Sequence, residues 1–562
     1  MSEQIEEGYF KNLRNQILNF ENWDSEKFCI FNHEAGTGKS IETHKILGEM
    51  SKEYSYRVLY VQMFEKDNEL TNTVERINSH AGKIVARRFA GEDLRKDSRR
   101  AEAVDAQCLC VTHRMYLEMC KGKNLDLIQN RDILIIDEMP NFLNKIEITT
   151  DDIQYLWLNY PYSEEAQQLA TFFRDTWYKY MINSNQSKNS EFKKVIYSVE
   201  EYYKYSQSIN FLLKEINDEN VKEILSKFLQ LLNNGFLFYQ NKFYSYDGRI
   251  KPLLLNNNII LDANAGFNYL YQLSPTFNIN EQSKIFDYSN SMLFHYLVNT
   301  SKASIKNSID LFSKCLSQVL LERGDSALFI TDMENKDKLK EEIIFYYRNY
   351  GQTLEEIEMN MGIKIYIDYY GNLIGKNTYR DCNVAIVTKT PNFDYLSYTL
   401  TYLLYKNYER DSLRDILAFQ DCEVEKLRKS IIAGEIYQSI KRINRQNKKS
   451  SRIYLFSTNN DAIDIVKSQL PNINYIQKNL IVSKTKKITT QSKDTKFMEQ
   501  LELTKQFILL SKEKGINQIQ KKDIRDILGI KSSPNFTPIL TRLKPWLIVN
   551  NIENSGQTLK FV

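Results

Sequence analysis

An apolar strand that runs into a glycine-bearing turn and then into a helix leaves a chain few folds to choose from. Phe28-Cys29-Ile30-Phe31 is such a run, His33-Glu34-Ala35-Gly36-Thr37-Gly38-Lys39-Ser40 follows it, and a helical pattern comes next. Glycines let successive backbone N–H groups turn inward, and the helix behind them aims its positive end at the same point. The arrangement predicts a phosphate loop in which Gly36, Thr37, Gly38, Lys39 and Ser40 surround a nucleotide. Lys39 would reach its β/γ-phosphates and Ser40 would hold Mg2+. His33 stands where such loops usually begin with glycine.

About 100 residues downstream, Ile133-Leu134-Ile135-Ile136 ends in Asp137-Glu138. A carboxylate at a strand's end is suited to hold Mg2+, here Asp137, and its neighbour Glu138 to orient and polarise an attacking water. Arg57–Val61 and Leu109–Thr112 are further strands of the same kind, with helical stretches between them. Apolar strands alternating with helices predict an α/β fold whose parallel sheet is buried on both faces. The alternation resumes beyond residue 300 with Ala327–Ile330, Lys364–Ile367, Val384–Val387 and Arg452–Phe456.

Between these regions the texture changes. Residues 145–250 are rich in Tyr, Glu and Lys, with Leu156, Leu158, Phe172, Phe173, Trp177 and Tyr180 at helical spacing and a hairpin pattern over 235–244. The expected organisation is a nucleotide-binding lobe at 1–144, a mostly helical insertion at 145–250 and the completion of the first lobe at 251–300. A second lobe at 301–480, a basic linker at 481–497 and a small domain at 498–562 follow. The 562 residues allow three or four domains at about 150 each.

Composition removes several classes. No stretch of 18 apolar residues is present, and Met-Ser-Glu-Gln-Ile-Glu-Glu has neither the basic nor the apolar region of a signal peptide, so a cytoplasmic protein is expected. Seven cysteines without a C-x-x-C pair, and five histidines without i, i+4 spacing, give a zinc hydrolase or a Cys-His protease little to build from. The net charge of +4 is close to neutral, yet a local basic channel can hide inside a balanced total.

Residues 10–460 resemble superfamily 2 helicases. Leu13-Arg14-Asn15-Gln16 is similar to that family's Q motif, which implies that Gln16 reads the adenine edge with Phe10 or Tyr9 stacking on the ring. Leu261-Asp262-Ala263-Asn264 looks like motif III, and Ala327–Thr331 resembles motif IV. Gly371 to Asp381 looks like motif V, implying Gly375 at the nucleotide and Asn377 at the nucleic-acid backbone. Gln438-Ser439-Ile440-Lys441-Arg442-Ile443-Asn444-Arg445 matches motif VI, with Lys441 in place of the usual glycine. Two arginines three apart on a helix face the same way, and across a cleft they can neutralise charge developing on a γ-phosphate. The resemblance implies two tandem RecA-like lobes using ATP and Mg2+, with Lys39, Asp137, Glu138, Gln438, Arg442 and Arg445 as the catalytic set. The insertion is placed like the arch of XPD/DinG-type helicases. Some of those relatives carry an iron–sulfur cluster, but only Cys108, Cys110 and Cys120 lie in the corresponding interval, one thiolate short of four.

Candidate nucleic-acid contacts are Arg87 and Arg88 in the basic run over 83–100, and Thr112-His113-Arg114 after the third strand. Phosphate contacts need cations and N–H donors rather than sequence readout. In the tail, helix, turn, helix and a hairpin of Leu547–Val549 with Thr558–Phe561 predict a winged-helix domain, with Lys531 and Arg542 available to phosphates. The expected function is an ATP-driven DNA helicase or translocase. The alternatives are an ATP-switched recruitment protein for a nuclease or replication factor, and an RNA helicase.

Overall fold

The computed structural model describes residues 8–63, 68–91, 93, 97–184, 191–373, 378–406, 413–445, 447, 449–483, 493–528, 530 and 532–561. The chain divides into two compact units, residues 1–306 with 310–482, and residues 307–309 with 483–562.

The first unit is built on two parallel sheets. The first runs Phe277–Asn280, Phe28–Phe31, Asn257–Leu261, Ile133–Asp137, Val58–Gln62, Cys108–Thr112 and Ala86–Phe89. Its inner strands are apolar without alternation, and Ile133 to Ile136 are all fully buried, because helices cover both faces. Register positions the chemistry. Leu261 lies opposite both Phe31 and Asp137, so three strands end level and the turns that follow them emerge side by side.

The second sheet runs Lys364–Tyr369, Ser326–Thr331, Val384–Val387, Arg452–Phe456, Met292–Leu297 and Asn474–Asn479, again all parallel. The second lobe therefore begins before residue 301, since Met292–Leu297 already pairs with Arg452–Phe456. A histidine hides that strand in the sequence. His295 is buried, but Nδ1 lies 2.9 Å from the Tyr475 hydroxyl and Nε2 2.9 Å from the Ser457 carbonyl, so the ring is satisfied within the core.

The insertion is not simply helical. Thr150–Asn159, Glu164–Ser184, Val199–Glu215 and Glu219–Asn234 are helices, and they pack on a five-stranded sheet. The order is Ile416–Leu417, Glu191–Lys194, Leu237–Tyr239, Lys242–Tyr246 and Lys145–Ile148. Lys145–Ile148 is charged on alternate positions and buries only Ile146 and Ile148, which disguises it as a loop. Capping boxes at Thr149/Asp152 and Ser198/Glu201 start two of the helices. Phe173 stacks on Phe228 with ring centroids 4.1 Å apart at the centre of this core.

One strand of that sheet comes from the second lobe. Phe192 pairs with Ile416 and Glu191 with Leu417. The helix Tyr395–Lys406 ahead of it buries Leu400, Tyr402 and Leu403 in the same core as Phe192, Tyr244 and Tyr271. The excursion through 395–421 thus joins the second lobe to the insertion and to the first lobe.

The second unit has a helix Lys493–Glu513, a strand Gln518–Gln520, helices Lys521–Ile527 and Ser533–Val549, and strands Ile552–Ser555 and Thr558–Phe561. Its strands form one antiparallel sheet with Thr558–Phe561 in the centre. Two sequence expectations change here. The first helix starts at Lys493, inside the segment read as linker to 497. Leu547–Val549 is the last turn of a helix rather than a strand, and the hairpin begins at Ile552. Phe536, Ile539, Leu543 and Leu547 are buried at helical spacing, and that period carries the helix through Pro538 and Pro545. Among the described residues no helix is long and apolar enough to cross a membrane.

Candidate nucleotide-binding cleft

A cleft of about 840 Å3 opens where the strands of the first lobe end. Gly36, Thr37, Gly38, Lys39, Ser40, Asp137 and Glu138 line one side, and Gln438, Arg442 and Arg445 line the other. Residues more than 400 positions apart thus share one cavity.

The phosphate loop follows from its glycines. Gly36 and Gly38 both have φ of +92°, a region closed to most side chains. Thr37 Oγ1 donates to the Glu34 carbonyl at 2.8 Å and closes the loop. The helix Lys39–Glu53 then starts directly behind it. Ser40 Oγ donates to Asp137 Oδ2 at 2.6 Å, and the Tyr60 hydroxyl donates to the same oxygen at 3.2 Å. Burial raises the Asp137 carboxyl above its ordinary value, Lys39 opposes this, and Glu138 adds to it. A hydroxyl and a carboxylate oxygen this close are the hard donors that Mg2+ takes together with phosphate oxygens and water.

Glu138 has φ of +67°, and its N–H donates to the Leu261 carbonyl at 3.1 Å. The left-handed turn stops the strand at once and swings the carboxylate into the cleft. A non-glycine residue in this region carries a conformational cost, and such costs collect at functional sites.

The arginines reach the cleft differently from the helical face expected of them. The helix Cys422–Ile440 ends before either one. The Asn444 N–H donates to the Cys382 carbonyl at 2.9 Å and the Arg445 N–H to the Arg380 carbonyl at 3.3 Å, so the backbone leaves the helix sideways. The resulting turn packs on the phosphate loop, where a Cβ on Gly36 would meet the Arg445 carbonyl. Burial lowers the Arg445 guanidinium from its ordinary value, and Arg442 lowers it further.

Gln16 is not at the cleft. Its amide donates to the Asn22 carbonyl at 2.7 Å and to Asn257 Oδ1 at 3.0 Å, while Asn257 Nδ2 donates back to the Gln16 carbonyl at 2.9 Å. Asn257 opens the strand whose far end, Leu261, holds the cleft residue Glu138, roughly 13 Å away at about 3.3 Å per residue. The buried amide pins the helix Lys11–Leu18 to the sheet. Phe10, by contrast, does line the cleft.

His113 is also reassigned. It is buried, with Nε2 3.3 Å from the Asp137 carbonyl, and burial lowers its pKa from the ordinary value. It braces the acidic turn and does not face outward. Thr112 Oγ1 accepts the Met115 N–H at 3.3 Å and caps a helix, and Arg114 is exposed on that helix's first turn. Arg87 and Arg88 sit on the outermost strand of the first sheet, Arg87 3.5 Å from Glu102, and neither lines the cleft. Arg542 is exposed in the second unit. Gly375, Asn377 and Lys531 lie outside the described residues.

Sequence reasoning missed Glu69, Thr73 and Arg76, which line the cleft from one helix. Their i, i+4, i+7 spacing is a polar helical face and was the available signal. Burial and Asp137 raise the Glu69 carboxyl, and Arg442 and Arg445 oppose the rise. In the turn after Asn257–Leu261, Asp262 Oδ2 accepts from the Tyr271 hydroxyl at 2.6 Å, and Asn264 packs on Gly434 of the second lobe.

No protein-family model matches the chain, and no curated protein matches it. Among solved structures, Xpd4 of S. tokodaii superposes with a TM-score of 0.50 at 12% identity, over 84% of this chain and 100% of that one. The chain shares the two-lobed fold of that structure. Dbp5 of S. cerevisiae bound to RNA and ADP BeF3 matches at 11% identity and TM-score 0.37, over 85% of this chain and 89% of that one. The Mycobacterium smegmatis helicase Lhr bound to ssDNA and AMP-PNP matches at 10% and 0.34, over 99% and 60%. In this fold the cleft described above is the space between the two RecA-like lobes.

Proposed function

We propose that the chain is an ATP hydrolase that couples hydrolysis in this cleft to movement along, or unwinding of, nucleic acid. One observation carries the reading. The phosphate loop, the Asp137-Glu138 turn and the Gln438, Arg442 and Arg445 side chains meet in a single cavity from opposite lobes. Lys39 would bind the β/γ-phosphates, and Ser40 and Asp137 would hold Mg2+. The ion, when bound, neutralises phosphate charge. Glu138 orients and polarises the attacking water, with Gln438 beside it. Arg442 and Arg445 neutralise charge on the transferred phosphoryl oxygens, which ties hydrolysis to lobe closure. Loss of the γ-phosphate removes what holds the lobes together, and reopening moves the strand. Phe10 takes the stacking role beside the base.

DNA is the favoured track. The second unit has the helix, strand, helix, helix and hairpin order of a winged helix, and Arg542 is exposed on its longest hairpin-proximal helix. Thr112, Arg114, Arg87, Arg88, Asn377 and Lys531 are the further phosphate contacts proposed, and Gly375 a nucleotide contact. A cytoplasmic location fits this role. The test is ATP turnover with and without single-stranded DNA and RNA, followed by strand displacement on 5′- and 3′-tailed duplexes, against Lys39→Ala. Turnover that neither nucleic acid changes would sink the motor reading.

A further inference from the structure

Lys441 lies between Gln438 and Arg442 at the end of the helix Cys422–Ile440, and only 5% of it is exposed. Its Nζ is hydrogen-bonded to the Tyr288 hydroxyl and lies 3.9 Å from Glu34 Oε1. The Tyr288 hydroxyl in turn donates to Glu34 Oε1 at 2.6 Å. Glu34 Oε2 accepts the N–H groups of Ile285 and Phe286, each at 3.2 Å. The ammonium group also lies 4.6 Å from the ring centre of Phe286 and 4.8 Å from that of Tyr288.

Three separate parts of the first unit meet at this cluster. Glu34 belongs to the phosphate loop, and its backbone carbonyl accepts both the N–H and the hydroxyl of Thr37. Ile285 to Tyr288 belong to the connection between the first sheet, which ends at Asn280, and the second, which begins at Met292. Lys441 belongs to the turn that carries Arg442 and Arg445. A buried ion pair is costly to desolvate and adds little net stability against an apolar alternative, and its best-attested use is to select one arrangement over others. An apolar side chain at 441 would fill the same space and would not discriminate between arrangements. The glycine usual in motif VI could not reach Glu34.

We propose that Lys441 is a positioning residue for hydrolysis: acting through Tyr288 and Glu34 as an ammonium ion, it holds Arg442 and Arg445 in register with the phosphate loop. The inference rests on the hydrolase reading. The groups facing Lys441 are Glu34 from the phosphate loop, Lys284 and Tyr288 from the connection and Arg445 from the turn after it, and Tyr437, one helical turn before it, acts on Tyr288 and is acted on by Glu34. Burial lowers Lys441 to about 8, with Glu34 favouring the charged form and Lys284 and Arg445 opposing it. Burial and Glu34 push Tyr288 far up, so it stays a phenol throughout. As pH rises through about 8, the ammonium loses its proton and the pair with Glu34 loses its charge.

The experiment is steady-state ATP turnover by the full chain from pH 6.5 to 9.5, for wild type, Lys441→Met, Lys441→Arg and Tyr288→Phe. Wild type is expected to show an alkaline limb centred near the Lys441 value. Lys441→Met is expected to lower kcat by about 10- to 100-fold at neutral pH, leave KM within about threefold and abolish the limb, as a displaced catalytic group does. Lys441→Arg retains charge and moves the limb out of range. Tyr288→Phe removes one hydroxyl, keeps the ring and lowers kcat in the same direction, which covers the case in which Lys441→Met fails to fold. If wild type turns over ATP and neither Lys441→Met nor Tyr288→Phe changes kcat or the pH profile, the positioning role is wrong and the hydrolase reading stands. If wild type turns over no ATP under any condition, both are wrong.

Discussion

A single methyl group at Gly36 tests whether the cleft, with Arg445 packed on the phosphate loop, is the working arrangement. The backbone there has φ of +92°, where an L-residue costs about 1–2 kcal/mol. Gly38 has the same φ, yet a Cβ at Gly38 meets nothing within 4 Å, whereas at Gly36 it lands on the Arg445 carbonyl oxygen and 3.0 Å from Arg445 Cγ. Gly38→Ala therefore measures conformational cost alone, a factor of roughly 5–30 in rate if it falls wholly on the active form. Gly36→Ala bears the same cost and must also move the arginine turn. Displacing a catalytic group by about 1 Å costs on the order of 100-fold, so Gly36→Ala should be slower than Gly38→Ala by about that factor. The assay is steady-state ATP hydrolysis with nucleotide affinity measured in parallel on both variants. Equal rates for the two alanines, or a slower Gly38→Ala, would refute the claim that Arg445 acts from where it now sits.

Four other outcomes are expected. Glu138→Gln should bind ATP within a few-fold of wild type and hydrolyse it about 10²–10⁴-fold more slowly, holding nucleic acid in a filter-binding assay for as long as ATP is present. Gln16→Ala should leave the preference for ATP over GTP unchanged and cost about 1–3 kcal/mol in denaturant unfolding, because it strands the buried Asn257 Oδ1 rather than a base contact. Phe173→Ala should lower stability by about 3–5 kcal/mol, read as a lower midpoint for the first unit. Lys441 holds its proton less tightly folded, at about 8, than unfolded, at 10.5, so stability should rise with pH across that window. The gap is worth ~3 kcal/mol, and it should appear in wild type and vanish in Lys441→Met when unfolding is measured from pH 7 to 10.

Local chemistry was legible in the sequence where a short segment states its own purpose. Gly36 to Ser40 and Asp137-Glu138 needed only backbone freedom and charge at a strand's end, and Phe28–Phe31 and Ile133–Ile136 had no polar residue to obscure them. His295 obscured Met292–Leu297, because its satisfied state depends on Tyr475 and Ser457, some 160 to 180 residues away. Gln16 was misplaced for the opposite reason. An amide ahead of a phosphate loop reads as a base contact until Asn257 is known to lie beside it. Lys441 was visible as an oddity in motif VI, but nothing local pointed to Glu34 as its partner, because that pairing exists only across the assembled lobes. The short edge strands of the insertion were lost to their charged faces, and Ile416–Leu417 is too short to signal anything alone.

The excursion through 395–421 has a consequence for how the chain is made. Phe192, Tyr244, Tyr271 and Phe277 leave the ribosome well before the residues that cover them, Leu400, Tyr402, Leu403 and Ile416. Ile416 follows Phe277 by 139 residues, which at about 5–20 residues per second is roughly 7–28 s of synthesis. Through that interval the first lobe is a nearly finished domain with a bare aromatic face, and the strand Glu191–Lys194 has one edge unpaired. Such a nascent chain is a natural client for chaperones. A fragment ending before Tyr395 would keep that face permanently, and should aggregate even though every residue of its phosphate loop is present.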